Sequence, residues 1–510
     1  MHRQNAYLYL TAFTGGLVSL GAEMAASRLL STHFGTASPV WATVIGLILL
    51  YLTVGYFIGG RWADRSPYPA TLYQIIAWAA FLIGVVPFIA QPVLALASPG
   101  FLHFNVAMLA GSFVSVLILF SVPITLLGCI SPFIIRLAMR DVADAGKTAG
   151  LVYAISTAGS FLGTFLPDLL LVPTIGTRNT FVFFSLLLSA VATIGLFQSR
   201  ARRRVLYMSL PAIIILLALV LRGQPVKAAD DSIFETESSY NYIQVVETGN
   251  CRYLLLNEGQ GIHSIYCPDQ LSTPGPWDYF LIAPFFNAPP HPPEQVQSVA
   301  LIGLAAGTIA QQYTAAYGPL PIDGVEIDPK IVAVGQEYFG MTEPNLNVIV
   351  SDGRYFLAHS DRQYSIIGVD AYRLPYIPPH LATVEFFQQV ANRLTPDGVI
   401  VVNVGHTVSD YRLVEAMKAT LLQAFASVHV IDVPGSFNAI VVGTMQPTSV
   451  ANLLDNLPSL EGNEFLHTTA LRAATNLRAT RASDVVFTDD RAAIEFMTNA
   501  LLLDFVLKGE

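Results

Sequence analysis

Three acidic residues in the second half of the chain stand where apolar runs end: Glu326 in Val325-Glu326-Ile327-Asp328, Asp352 in Ser351-Asp352-Gly353-Arg354, and Asp370 in Asp370-Ala371-Tyr372. Another run leads into Gly303-Leu304-Ala305-Ala306-Gly307, whose small residues let backbone amides approach a ligand and start a helix. Glu326 follows Gly303 by 23 residues. At that spacing a carboxylate at the end of a second strand accepts hydrogen bonds from both ribose hydroxyls. Asp352, with Gly353 behind it, suits an adenine amino group, and Asp370 faces the reacting part of the ligand. Singly, each is an ordinary polar strand end; together they point to an adenosyl ligand.

Such residues need a sheet to position them. Apolar runs at 298–303, 322–327, 346–350, 364–369, 398–404, 427–433 and 438–443 alternate with helix-like segments, which predicts an α/β doubly wound, Rossmann-type domain over 296–510. Ligands of such sheets bind at the carboxyl ends of the strands, near the switch in strand order. Ahead of it, 236–295 holds a small β-hairpin unit and a connection, with strand-like runs at 242–246, 252–256 and 262–266. A hairpin centred on Gly259 sets Cys251 opposite Cys267. A disulfide there is sterically possible and belongs to an oxidising compartment; two free thiols are the other reading.

The first 222 residues read differently. Hydrophobic residues make up 53% of the chain and charged ones 12%, too apolar for an ordinary soluble protein. The excess is concentrated in seven segments of at least about 17 residues, long enough to cross a bilayer: 7–30, 39–60, 71–97, 104–135, 148–172, 179–198 and 205–221. A multi-pass α-helical membrane domain over 1–222 and a polar linker at 223–235 follow. Arg3, Arg61, Arg65, Arg136, Arg140, Lys147, Arg200, Arg202, Arg203 and Arg204 fall on one side of this arrangement, and between spans only Arg178 falls on the other. The positive-inside rule therefore puts the N-terminus in the cytoplasm, and an odd number of spans puts the second half outside. Glu23, Arg28 and Asp168 are ionisable residues in or near hydrocarbon; Glu23 and Arg28, about 140° apart on a helix, do not face each other. Gly150, Gly159 and Gly163 suit close helix packing. The net charge of −9, with no basic patch interleaved with aromatics, argues against nucleic acid. Three cysteines provide neither a disulfide framework nor a zinc site.

The run Gly303 to Gly307, Val325-Glu326-Ile327-Asp328-Pro329, Ser351-Asp352-Gly353, Val369-Asp370 and Leu394-Thr395-Pro396-Asp397-Gly398 resembles the spermidine synthase family, polyamine aminopropyltransferases on the class I methyltransferase fold. Phe487-Thr488-Asp489-Asp490-Arg491 is similar to the tail of its membrane-fused members. The segment Gly59 to Arg65, read as a loop after the second span, resembles the G-x-x-x-D-R loop of major-facilitator transporters. The resemblance implies that Glu326 holds the ribose, Asp352 the adenine and Asp370 the aminopropyl or methionyl arm, with Tyr240 and Gln260 or His263 in second contacts.

The departures lie on the amine side. Ala306 stands where the family has an aspartate, and Tyr279-Phe280-Leu281 replaces its Tyr-His-Glu segment. Arg373 replaces a second aspartate, the expected proton acceptor, a role a fixed cation cannot fill. Asp370, Tyr372 and Arg373 are thus the candidate catalytic residues. The implied activity is a membrane-bound aminopropyltransferase-like transferase that uses decarboxylated S-adenosylmethionine or S-adenosylmethionine as co-substrate, has no permanent cofactor or metal, and releases methylthioadenosine. If Arg373 lies in the site, it suits an anionic acceptor or a donor that keeps its carboxylate. The alternatives are cleavage of S-adenosylmethionine without an amine acceptor, and a non-catalytic nucleoside-binding sensor or transport-linked domain. The expected partners are a small nucleoside, a polyamine, the lipid bilayer of a bacterial inner membrane, and further copies of the chain in a homo-oligomer.

Overall fold

The computed structural model of the chain describes residues 2–35, 38–97, 105–139, 141, 144–202, 204–222, 226–227, 231–259, 261–273, 275–372 and 377–508. The chain divides into two compact units, Met1–Ile243 with Leu256–Gly259, and Gln244–Leu255 with Gln260–Glu510.

The first unit is mostly helical: α1 (His2–Phe34), α2 (Ser38–Arg65), α3 (Pro69–Ala97), α4 (Asn105–Gly128), α5 (Ile130–Ala138), α6 (Ala145–Leu166), α7 (Val172–Gln198), α8 (Arg204–Tyr207) and α9 (Ser209–Val220). Among the described residues, four helical stretches are long and apolar enough to cross a membrane: Val40–Arg65, Pro69–Ala97, Ala110–Ala138 and Ala145–Gln198. The last runs for 54 residues and contains both segments expected at 148–172 and 179–198. They join through a π-helical turn, Pro167–Leu171, and break at Gly176, whose φ of 79° and ψ of 163° leave helical geometry. The segment expected at 205–221 is the shorter apolar helix Arg204–Val220. Apolar side chains on these helices stand bare, Phe57 at 67% and Leu169 at 72% exposed, as suits a face solvated by lipid.

An ion pair stands within the bundle. Arg28 Nε lies 2.7 Å from Asp168 Oδ1, and Arg28 also donates to the Ser239 carbonyl, so Arg28 pairs with Asp168 and not with Glu23. Gly159 and Gly163 of α6 press on α1, where an added Cβ would come within 2.0 Å of the Phe13 carbonyl oxygen and 2.2 Å of that of Leu17. Small residues here permit close helix approach; Gly150 meets nothing within 4 Å. One expectation is corrected. Gly59 to Arg65 is not a loop but the last two turns of α2, which ends only where the Ser66 amide bonds to the Trp62 carbonyl at 2.8 Å. Gly59 sits where a Cβ would meet Cys129 at 2.6 Å, and Asp64 pairs with Arg136 at 3.2 Å.

A four-stranded sheet in the order β1 (Ser232–Glu237), β2 (Tyr242–Thr248), β3 (Cys251–Leu256), β4 (Ile262–Tyr266) follows. β1 begins inside the segment expected to be a linker. Arg252 faces Tyr266 and Tyr253 faces Ile265, and that register brings Cys251 and Cys267 together as a disulfide.

The rest of the second unit is a seven-stranded mixed sheet. Its strands are β5 (Val299–Ile302), β6 (Ile322–Glu326), β7 (Leu346–Val350), β8 (Tyr364–Val369), β9 (Leu394–Gly405), β10 (Ser427–Asp432) and β11 (Asn438–Thr444), in the order β10-β11-β9-β8-β5-β6-β7. β5 to β9 are parallel, and β10 and β11 close the edge antiparallel. Side chains alternate across the sheet: Leu301, Val399 and Val401 enter one core, Ala300, Ile302 and Val402 the other. Helices α10 (Thr308–Tyr317), α11 (Pro329–Tyr338), α12 (Gly353–His359), α13 (Val384–Ala391), α14 (Arg412–Leu421), α15 (Ala451–Asp455), α16 (Glu464–Thr475) and α17 (Ile494–Lys508) complete the unit, giving the doubly wound Rossmann-type fold expected. β5 pairs with β6 on one side and β8 on the other. The order therefore switches at β5, which opens a crevice at the carboxyl ends of these strands.

Candidate nucleoside and amine site

Three short strand-turn-helix units build the nucleoside side. After β5 the chain turns at Gly303 with φ of +90°, and its amide and that of Leu304 both donate to the Val325 carbonyl, at 2.9 and 3.0 Å. A Cβ on Gly303 would stand 2.6 Å from the Asp370 carbonyl oxygen, so only glycine allows the two strand ends this close. Gly307, at φ of +94°, ends the loop and begins α10. The β4 strand supports this loop. Ser264 Oγ accepts from the Ala306 amide at 2.9 Å, and the Ile265 backbone exchanges two 2.9 Å hydrogen bonds with Thr308 Oγ1.

Glu326 ends β6 and is buried. Its two oxygens accept from the backbone amides of Ala305 and Asp328, each at 3.0 Å. Burial is the largest influence and pushes its pKa up to about 7, against the lowering effect of those amides. Asp328 and Pro329 start α11, with Asp328 accepting from the Lys330 amide at 3.0 Å. Asp352 likewise starts α12, accepting from the Tyr355 amide at 2.9 Å, and its other oxygen lies 2.8 Å from His380 Nε2. Burial opposes ionisation of Asp352, but the Tyr355 amide and His380 outweigh it and lower its pKa. Gly353 fits beneath, where a Cβ would strike Ile302 Cγ2 at 2.2 Å.

On the other flank of β5, Asp370 ends β8. Its Oδ1 accepts from Asn403 Nδ2 and its Oδ2 from Trp277 Nε1, both at 2.9 Å. Burial is again the largest influence and raises the pKa to about 6, while the two donors pull it back. Trp277 is fixed through its neighbour. Asp278 is fully buried and accepts from Ser272 Oγ at 2.6 Å, the Thr273 amide at 3.0 Å, and Gln312 Nε2 and Arg472 Nη2 at 2.7 Å. Asn403 Oδ1 accepts in turn from Asn438 Nδ2 at 2.9 Å. Tyr372 points its hydroxyl toward Gly405, and burial, then the nearby Asp370, raises its pKa.

The structure thus gathers Gly303, Gly307, Glu326, Asp352, Gly353, Asp370 and Tyr372 at one sheet end. Tyr240 is placed elsewhere: it is exposed in the turn between β1 and β2 and belongs to the first unit. His263 lies on β4 in the second unit, where burial lowers its pKa to about 4 and keeps it neutral near pH 7. Gln260 and Arg373 lie outside the described residues. Tyr279 and Phe280 are buried in the core beside Trp277. Trp277, Asn403 and His380 were not anticipated. Asn403 carried a signal, as the polar residue inside the apolar run Val401-Val402-Asn403-Val404.

Residues 294–448 match the spermine/spermidine synthase domain family. A probable polyamine aminopropyl transferase from Bifidobacterium longum is 32% identical over 283 residues, covering 52% of this chain and 61% of that protein. A polyamine aminopropyltransferase from Vibrio vulnificus is 27% identical over 261 residues, covering 48% of this chain and 82% of that protein. The crystal structure of a probable spermidine synthase from Corynebacterium glutamicum aligns with a TM-score of 0.39 at 20% identity, over 49% of this chain and 98% of that one. The chain spans less than two thirds of the Bifidobacterium protein's length.

Proposed function

We propose that the protein is a membrane-anchored aminopropyltransferase that takes its donor as decarboxylated S-adenosylmethionine and releases methylthioadenosine. The observation that carries this reading is the placement of Asp370, a buried carboxylate held by two neutral donors, across the Gly303 loop from the ribose-type carboxylate Glu326. The match of residues 294–448 and the polyamine aminopropyltransferases among the relatives support it. Glu326 holds the ribose hydroxyls and Asp352 stands at the adenine end, so that the sulfonium faces Asp370. The acceptor nitrogen attacks the methylene carbon next to sulfur, the C–N bond forms, the C–S bond breaks, and its electron pair stays on the thioether. Such a displacement needs mainly alignment and a deprotonated nucleophile. Asp370 orients the cationic arm and takes the proton that the amine loses. The four long apolar helices support membrane anchoring. The Cys251–Cys267 bond favours an oxidising compartment, and so an outside position, for the second unit.

Incubating the full chain in detergent with decarboxylated or intact S-adenosylmethionine, with and without an amine, and measuring methylthioadenosine tests the reading. Release that needs both the decarboxylated donor and an amine is expected. Release from S-adenosylmethionine alone would establish breakdown in place of transfer, and binding of the nucleoside without release would leave a sensor. Reporter fusions after residue 235 test the side of the membrane, with cytoplasmic activity ruling out the outside position.

A further inference from the structure

Every carboxylate at the amine end of the crevice except Asp370 is matched to a fixed cation among the described residues. The relevant loops follow β9 and join β10 to β11, and the pairing of Asn438 with Gly405 sets both beside the β8 end. In the first, Asp410 Oδ2 accepts from Arg412 Nε at 2.7 Å, and Arg412 also reaches Asp504 at 2.6 Å. In the second, Asp432 is paired with Arg478 at 2.6 Å, and that guanidinium lies 3.4 Å over the Tyr411 ring. Asp432 is also remote, since β10 is three strands from β8, about 14 Å at the usual interstrand spacing. Asp370, by contrast, is bonded among the described residues only by the neutral groups of Trp277 and Asn403.

One unmatched carboxylate serves one organic cation. A decarboxylated donor already brings a primary ammonium on the arm to be transferred, and it takes Asp370. A diamine acceptor adds a second ammonium at its far end, which would be desolvated with no counter-charge. Among the polar residues of these two loops, exposed apolar side chains also stand. Val408 is 65% and Phe437 55% exposed, and Phe437 adjoins Asn438, which is linked to Asp370 through Asn403. Resting on the aminopropyl-transfer reading above, we propose that the natural acceptor is a monoamine with an apolar tail and not a polyamine.

The matched pair n-butylamine and putrescine, which differ only by the second amine, tests this with the full chain and decarboxylated S-adenosylmethionine. The expected result is methylthioadenosine and N-aminopropyl-butylamine formed from n-butylamine at a kcat/KM roughly ten-fold or more above that for putrescine. The Phe437→Asp variant, which supplies the missing carboxylate at an exposed position, is expected to narrow that ratio. Putrescine used as well as or better than n-butylamine by the unmodified chain overturns the acceptor assignment and leaves aminopropyl transfer standing. No turnover with either amine, although methylthioadenosine binds, overturns the transfer reading and the acceptor assignment with it.

Discussion

The two sides of the crevice are held in different ways. On the nucleoside side, Glu326 and Asp352 are anchored mainly by backbone amides of the turn that follows each or of the neighbouring loop, with the side chain of His380 on the second oxygen of Asp352. On the amine side, Asp370 is held by side chains 93 residues before it and 33 after it. The first arrangement comes with any strand-turn-helix of suitable sequence, so its chemistry is fixed once the fold forms. The second depends on particular distant side chains, and it can change while the fold stays the same. Of the departures from the spermidine synthase pattern, Tyr279-Phe280-Leu281 packs beside Trp277 on the second side and Ala306 sits in the glycine loop of the first, Arg373 lies outside the described residues, and Glu326 and Asp352 are in place.

The largest expected effect comes from the amine side. Asp370→Asn keeps one acceptor oxygen for its two donor neighbours but removes the charge and the proton acceptor. It should lower kcat/KM for aminopropyl transfer by roughly 10²- to 10⁴-fold. Methylthioadenosine, which lacks the arm, should bind to this variant within a few-fold of the unmodified chain, as calorimetry can measure. An equal collapse of nucleoside binding would show that the two sides are not separable.

Glu326→Gln is the counterpart. It removes the charge-assisted acceptor for the ribose, and methylthioadenosine should bind roughly 10- to 100-fold more weakly. A pH signature accompanies it. Because burial raises the folded-state pKa from the ordinary 4.5 to about 7, the protonated carboxyl favours folding. That contribution is complete below 4.5 and is lost as pH rises through 7. The unmodified chain should therefore lose stability between pH 5 and 8 relative to Glu326→Gln, by up to roughly 3 kcal/mol. Thermal unfolding in detergent at the two pH values measures the difference, and parallel curves would contradict it.

A smaller effect probes how Asp370 is tuned. Trp277→Phe removes one of the two donors that favour the ionised carboxylate, so the pKa of Asp370 should move up from about 6. The acidic limb of kcat/KM should shift to higher pH by about one unit, with only a several-fold loss on the alkaline plateau. An unmoved limb, with lower activity at every pH, would mean that the indole acts only through packing.

What the sequence made legible follows the same division. The seven strands of the main sheet were readable because each parallel strand is an apolar run bounded by turns, and β7 and β8 fall at their expected residues. Glu326, Asp352 and Asp370 were readable because strand ends are local features. Trp277 and Asn403 were not, because what selects them is the sheet order that sets β9 beside β8 and the buried Asp278 network that fixes the 277–286 segment. In the first unit, apolarity made helices legible, but four stretches long and apolar enough to cross a membrane stand among the described residues where seven segments were expected, and 7–30 is not one of them. Helix boundaries were not legible: Gly59 to Arg65 looks like a charged turn in one dimension, yet it continues α2 because Gly59 packs on Cys129. That Cys251 stands opposite Cys267 was legible from hairpin register, which antiparallel geometry fixes, while the choice between a bond and two free thiols was not.

That disulfide supplies the smallest and most selective test of the comparison. It closes a loop of 16 residues, worth about 3 kcal/mol against the unfolded chain, and it ties β3 to β4. β4 carries Ser264 and Ile265, which bond to Ala306 and Thr308, and Tyr266, whose ring packs where a Cβ on Gly340 would meet it at 3.2 Å. None of these contacts involves Trp277, Asn403 or Asp370. Replacing both cysteines by serine, or reducing the bond, should therefore loosen the support of the glycine loop and raise the KM for the donor by a few-fold, on the order of 1 kcal/mol. The KM for the amine should stay where it was. A rise in the amine KM alone would reverse the assignment of the hairpin to the nucleoside side, and equal rises in both would mean that it braces the whole crevice.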